Sequence, residues 1–182
     1  MKNKNLSFKI KLLQTLALLG LTLNAFGQEF QKPSEGKALV YFVRYQGAIA
    51  ALDFKYFDGE KYLGRATMIN YFVYECEPGE HVFWVATENR EYIKGNLKAN
   101  CVYVIEVRPY FRAVMASAKL YQIDPANEKA LKKIDKVLNE EESQLKGKGE
   151  DQSESIKKGM GRYEEVKEKV TEMNPEWTFN CE

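Results

Sequence analysis

The sequence predicts a mainly β protein, an antiparallel β-sandwich of about seven or eight strands with a C-terminal two-helix appendage. Three observations predict it. Short apolar or alternating runs recur between compact turns from residue 38 to residue 121, and no helical period interrupts them. Residues 37–123 hold 17 of the 23 aromatics, enough to fill a core between two sheets. From Asp124 to Asn174 only Tyr163 is aromatic, nearly half the residues are charged, and the apolar residues recur at helical spacing.

The strands follow in order. Ala38 to Tyr45 is a near-continuous apolar run, as for a strand covered on both faces. Leu52, Phe54 and Tyr56 alternate with Asp53 and Lys55, and Asp58-Gly59 then marks a tight turn. Lys61 to Ala66 returns, with Gly64 marking a bulge or a close approach. Tyr71 to Cys76 leads into Glu77-Pro78-Gly79-Glu80, where Pro presets φ and Gly accepts a positive one. His81 to Thr87, Tyr92 to Leu97 and Cys101 to Val107 come next. Pro109 is expected to break the run, leaving Tyr110-Phe111-Arg112 in a loop, and Val114 to Tyr121 is the last strand. With no helix between strands, antiparallel pairing is expected.

The composition shift near Gln122–Asp124 separates a sandwich domain, 30–123, from a charged helical extension, 124–182. Asp124 is the expected N-cap of a first helix and Pro125 its first residue. Ala130, Leu131, Ile134, Val137 and Leu138 make one apolar stripe. After the polar link Gly147–Ser153, a second stripe runs through Ile156, Met160, Tyr163, Val166, Val170 and Met173. The two stripes can zip together or pack on the sandwich.

Residues 1–27 read as a secretory signal peptide. Lys2, Lys4, Lys9 and Lys11 precede the apolar run Leu12–Leu23, and Ala25-Phe26-Gly27 sets cleavage before Gln28. The apolar run is well short of the ~20 residues a spanning helix needs. Its removal turns 27 basic and 26 acidic residues into a net charge of −3, so the positive balance belongs to the export signal. The protein is therefore expected in the periplasm, outside the cell or in association with the cell envelope, and without a transmembrane segment after cleavage. Near-neutral charge disfavours nucleic acid as a partner.

In an oxidising compartment Cys76, Cys101 and Cys181 can form one bridge and leave one thiol. Alternating strand directions put Cys76 and Cys101 at the same end of the sandwich, which makes that pair the candidate disulfide. Cys181 could instead tie the tail to either one. No CxxC spacing supports a metal site, and no cofactor is implied.

No nucleophile elbow or phosphate-binding glycine loop is present, and His81 reads as a surface turn histidine, so no catalytic residue is assigned. The aromatics remain as candidate contacts. Tyr110, Phe111 and Arg112 form the candidate binding tip, because large apolar residues in a loop point to binding or docking.

GKALVYFVRY at 36–45, Phe57-Asp58-Gly59, Leu63-Gly64, Tyr71-Phe72 and Pro78-Gly79-Glu80-His81 form an outline of strands and turns, joined by Cys101-Val102-Tyr103-Val104. This outline resembles a bacterial domain-of-unknown-function family of exported β-sandwich proteins, often lipoproteins. It is also similar to PEGA-type surface domains. The resemblance covers about residues 36–121 and carries no catalytic residues. The chain departs from it in lacking a cysteine at the cleavage site and in carrying the charged tail.

These readings lead to an exported, non-catalytic envelope or extracytoplasmic binding or structural module, with an envelope protein or a glycan as partner. The alternative is a carbohydrate-binding module using exposed aromatics such as Trp84. A third is a hydrolase with paired carboxylates, which requires a pocket lined by Asp or Glu.

Overall fold

A computed structural model describes residues 30–45, 53–67, 70–112 and 115–181; at 111, 112, 115 and 116 it describes the backbone alone. The signal-peptide reading of residues 1–27 lies outside the described residues.

Among the described residues nine strands form two sheets. They are β1 (Ala38–Val43), β2 (Phe54–Asp58), β3 (Lys61–Ala66), β4 (Tyr71–Cys76), β5 (Gly79–Ala86), β6 (Arg90–Leu97), β7 (Val102–Arg112), β8 (Met115–Gln122) and β9 (Thr171–Glu172). One sheet has the order β4-β1-β7-β8, the other β3-β2-β5-β6-β9. Their inner faces share one core, in which Phe42 and Phe72 of the first sheet meet Tyr56 and Phe83 of the second. The arrangement is sandwich-like, as the alternation of apolar residues requires.

The sheets are mixed rather than purely antiparallel. β1 pairs parallel with β7, and β6 pairs parallel with β9. Within each sheet the directions of β1 to β8 fit an alternation along the chain: β4 and β8 run against β1 and β7, and β3 and β5 run against β2 and β6. The chain places β1 beside β7, however, and two odd-numbered strands in such an alternation must run the same way.

Pro109 does not end β7. It stands opposite Ala118, whose N–H and C=O turn away from β7 to the side-chain amide of Asn89. That pair therefore needs no ladder bond from residue 109. On its other side β7 has left β1 behind after Glu106, so the missing N–H faces no strand. Tyr110, Phe111 and Arg112 accordingly lie in a strand, opposite Ser117, Ala116 and Met115, and not in a loop.

The tail wraps the sheets. Helix α1 (Glu128–Leu138) starts later than Asp124 suggests. Asp124 instead closes a turn by accepting from Ala126 N–H at 2.8 Å, and Asn127 caps the helix by accepting from Ala130 N–H at 3.1 Å. Ala130, Ile134, Val137 and Leu138 then cover the outer face of the first sheet over Leu39, Tyr41, Val43, Val102 and Val104. Helix α2 (Ser153–Val166) lies on the outer face of the second sheet, packing Ile156, Met160, Tyr163 and Val166 around Trp84 and Tyr92. The two apolar stripes do not zip together. The first covers its own sheet, but the second is not one helix: α2 ends at Val166, Val170 follows a short turn, and Met173, just past strand β9, is buried in the core between the sheets.

Between the helices, residues 139–152 strap across two sheet edges. Ser143 N–H donates to Tyr71 C=O on β4, and Lys146 exchanges two 2.9 Å backbone bonds with Arg65 on β3. Gly64 lets this strap approach, since a Cβ there would lie 2.8 Å from Leu145 Cβ. The strap gives the exposed edge groups partners and blunts pairing with other chains. No helix of the described residues is long and apolar enough to cross a membrane.

The disulfide joins Cys101 to Cys181, and Cys76 is a buried free thiol. The expected Cys76–Cys101 bridge does not form, although both residues do lie at one end. β1 stands between β4 and β7, with Ala38 beside Cys76 and Leu39 N–H bonded to Cys101 C=O. Two strand spacings are about 9–10 Å, beyond the ~7 Å that a disulfide can span.

Candidate functional site

Beyond Glu106, β7 pairs only with β8, so the two strands project as an arm past the end of β1. Glu106, Arg108 and Tyr110 share one face of β7, because strand residues two apart point the same way. Tyr121, Lys119 and Ser117 stand opposite them on β8.

The arm is organised around a buried carboxylate. Glu106 is 2% exposed and accepts from Arg108 Nε at 2.8 Å and Nη2 at 2.6 Å. This fork holds the guanidinium protonated well beyond its ordinary range. Burial, and then a hydrogen bond to Glu106, raise the Tyr45 hydroxyl above its usual pKa. Clamped from below, the Arg108 guanidinium lies 4.4 Å over the ring of Tyr121, which is 36% exposed. Lys119 Nζ stands 5.7 Å from the Tyr110 ring, and Lys133 of α1 stands 5.0 Å from the Tyr45 ring. Three cation–aromatic pairs thus border one face.

Of the candidate tip, Tyr110 belongs to this face and is half-buried. For Phe111 and Arg112 the strand register is described, and as consecutive strand positions the three do not form one loop patch. Sequence reading missed Glu106, Arg108, Lys119 and Tyr121. A signal was present: Glu106 and Arg108 are charged residues spaced by two in an apolar run, which in a strand means one face.

A second polar cluster lies at the opposite end. His81 is on β5, largely buried, and not on a surface turn. Its Nδ1 contacts Asp58 Oδ2 at 2.8 Å and its Nε2 contacts Glu77 C=O at 2.8 Å. Tyr74 donates to the same Asp58 oxygen at 3.0 Å. A carbonyl can only accept and the carboxylate holds the other nitrogen, so both ring nitrogens donate and the ring is an imidazolium. The Asp58 hydrogen bond leads the contributions that push its pKa up to about 10, followed by a hydrogen bond with Cys76. With both nitrogens committed, His81 has no lone pair to act as a general base. The cluster ties β2, β4 and β5 together.

Trp84 is 1% exposed under α2, its indole nitrogen donating to Gly59 C=O at 2.9 Å, so it offers no face to a sugar. Two surface grooves of about 230 and 250 Å³ each carry a single carboxylate, Glu35 and Glu91 respectively. Neither provides the pair that glycoside hydrolysis needs. Among the described residues no three His, Cys, Asp or Glu side chains gather as metal ligands do.

Set beside known proteins, the chain matches no family model, no curated protein and no solved structure.

Proposed function

We propose that this is an exported, non-catalytic binding module, a β-sandwich scaffold that docks a protein partner on the outer face of the β7–β8 arm. The observation that carries the reading is Arg108, gripped by buried Glu106 and laid over half-exposed Tyr121. Arg and Tyr dominate binding energy at protein interfaces, and side chains already held in place lose little entropy on docking. The cations on this face, Lys119 and Lys133, favour an acidic partner segment. Export is supported by the leader-like residues 1–27 and by the Cys101–Cys181 disulfide, which suits an oxidising compartment. The absence of catalysis is supported by the commitment of both His81 nitrogens.

The test is site-specific photo-crosslinking in cells. A photoreactive residue at Tyr121 should yield a discrete protein adduct that disappears with Lys119→Glu. The same probe at exposed Lys157 on α2 is the control. No adduct from position 121, or identical adducts from both positions, would overturn the reading.

A further inference from the structure

A groove of about 250 Å³ opens where the start of β6 meets the C-terminal end of α2 and the short turn Lys167–Lys169. Three cations from three separate elements line it: Arg90 of β6, Arg162 of α2 and Lys169 of the turn. Tyr92, Val166 and Val170 supply its apolar surface. The floor is fixed, because Tyr92 donates its hydroxyl proton to Gly159 C=O at 2.7 Å. The turn is held in place too, since Thr171, two residues after Lys169, pairs with Ile93 of β6.

Gathering like charges costs energy unless something negative sits among them. The protein supplies only part of that charge. Glu165 pairs with Arg162 at 2.5 Å on the exposed rim. Arg90 and Lys169 form no ion pair with a described residue. Arg90 Nε finds no hydrogen-bond partner among the described residues, so that nitrogen takes no acceptor from the protein. Glu91, the one carboxylate lining the groove, is pushed toward its neutral form by burial and so opposes an incoming anion less.

We infer that this groove is a binding site for a small organic anion, its carboxylate or phosphate head held by Arg90 and Lys169 and its short apolar body lying against Tyr92, Val166 and Val170. The site is on the second sheet and α2, separate from the β7–β8 arm, and does not depend on the function proposed for that arm.

The experiment is an amide-resolved NMR titration of the mature chain with benzoate, phenyl phosphate and neutral benzyl alcohol, at fixed ionic strength. Saturable shifts are expected at Arg90, Tyr92 and Lys169–Thr171 with at least one anion, and none with benzyl alcohol. Which anion saturates the site names the head group. Arg90→Gln should weaken binding about tenfold, the scale of one charge-assisted hydrogen bond. Lys169→Glu, at an exposed position that folding does not require, should abolish it. No saturable shift, shifts that map elsewhere, equal binding of benzyl alcohol, or unchanged affinity in Lys169→Glu would overturn the inference.

Discussion

The backbone of Gly159 lies directly against the indole ring of Trp84, and a Cβ at that position would overlap the ring. Trp84 in turn stacks on Phe57 with centroids 3.7 Å apart. Helix α2 is therefore seated on the second sheet through a glycine in its middle, where helix propensity alone disfavours one. The contact explains how a charge-dense helix buries an aromatic cluster with few large apolar residues of its own.

Gly159→Val should lower stability by about 1–3 kcal/mol, because overpacking against Trp84 outweighs any gain in helix propensity. Urea unfolding of the variant measures it. Gly161→Ala, with open space around its position, is the control and should be neutral or mildly stabilising.

The Cys101–Cys181 bridge closes 80 residues of chain and fastens the end of the tail, where Phe179 exchanges backbone bonds with Val102. Cys181→Ser should cost about 2–5 kcal/mol in thermal or urea unfolding. Alkylation of the unreduced, denatured protein should label one thiol, Cys76, and reduction first should raise the count to three. Mass spectrometry reads both states.

His81 gives stability a signed pH dependence. Its folded pKa of about 10 lies above the ordinary 6.5, so the folded state holds the proton more tightly. The contribution is fully present below about pH 6.5 and is lost as pH rises through about 10. Its size should be about 1.5–3 kcal/mol, as for hydrogen bonds to a charged group. Urea unfolding at pH 6, 8 and 10 should show the decline, and His81→Gln should flatten it. An unchanged slope in that variant would show that other groups carry it.

Arg108→Ala would leave the buried Glu106 carboxylate without its fork and should destabilise by about 3 kcal/mol. Arg108→Lys keeps the charge but loses the two parallel bonds, so its melting temperature should fall between wild type and Ala. Tyr121→Ala removes only a half-exposed ring and should change melting little, which makes it the cleaner variant for binding studies.

Much of the strand layout was legible because its signals are local. Alternation marked β2, Asp58-Gly59 marked the hairpin that follows it, and the apolar run at Tyr71–Cys76 coincides with β4. Pro109 misled because whether a strand tolerates proline depends on its neighbours. Here an Asn89 side chain serves Ala118 and no strand flanks the other side. Asp124 misled for a similar reason, since a capping residue can also close a turn. The candidate site was half legible. Tyr110 was named, but Glu106, Arg108, Lys119 and Tyr121 come together only when β8 folds back in one particular register.

By itself the sequence determined most of the segments that become strands and helices, because propensity, period and turn chemistry act over a few residues; it did not mark β9, which exists only because residues 171–172 find the edge of β6. It also carried the amphipathic stripes of both helices. The tertiary structure alone decided which strand lies beside which. The insertion of β1 between β4 and β7 kept Cys76 from Cys101 and made one pairing parallel. It also decided that α1 and α2 cover opposite sheets, that His81 is locked between Asp58 and Glu77, and that Arg108 is aimed across Tyr121. Each of these depends on contacts between residues far apart in the chain, whose selection is made by packing the whole core at once and leaves no local mark.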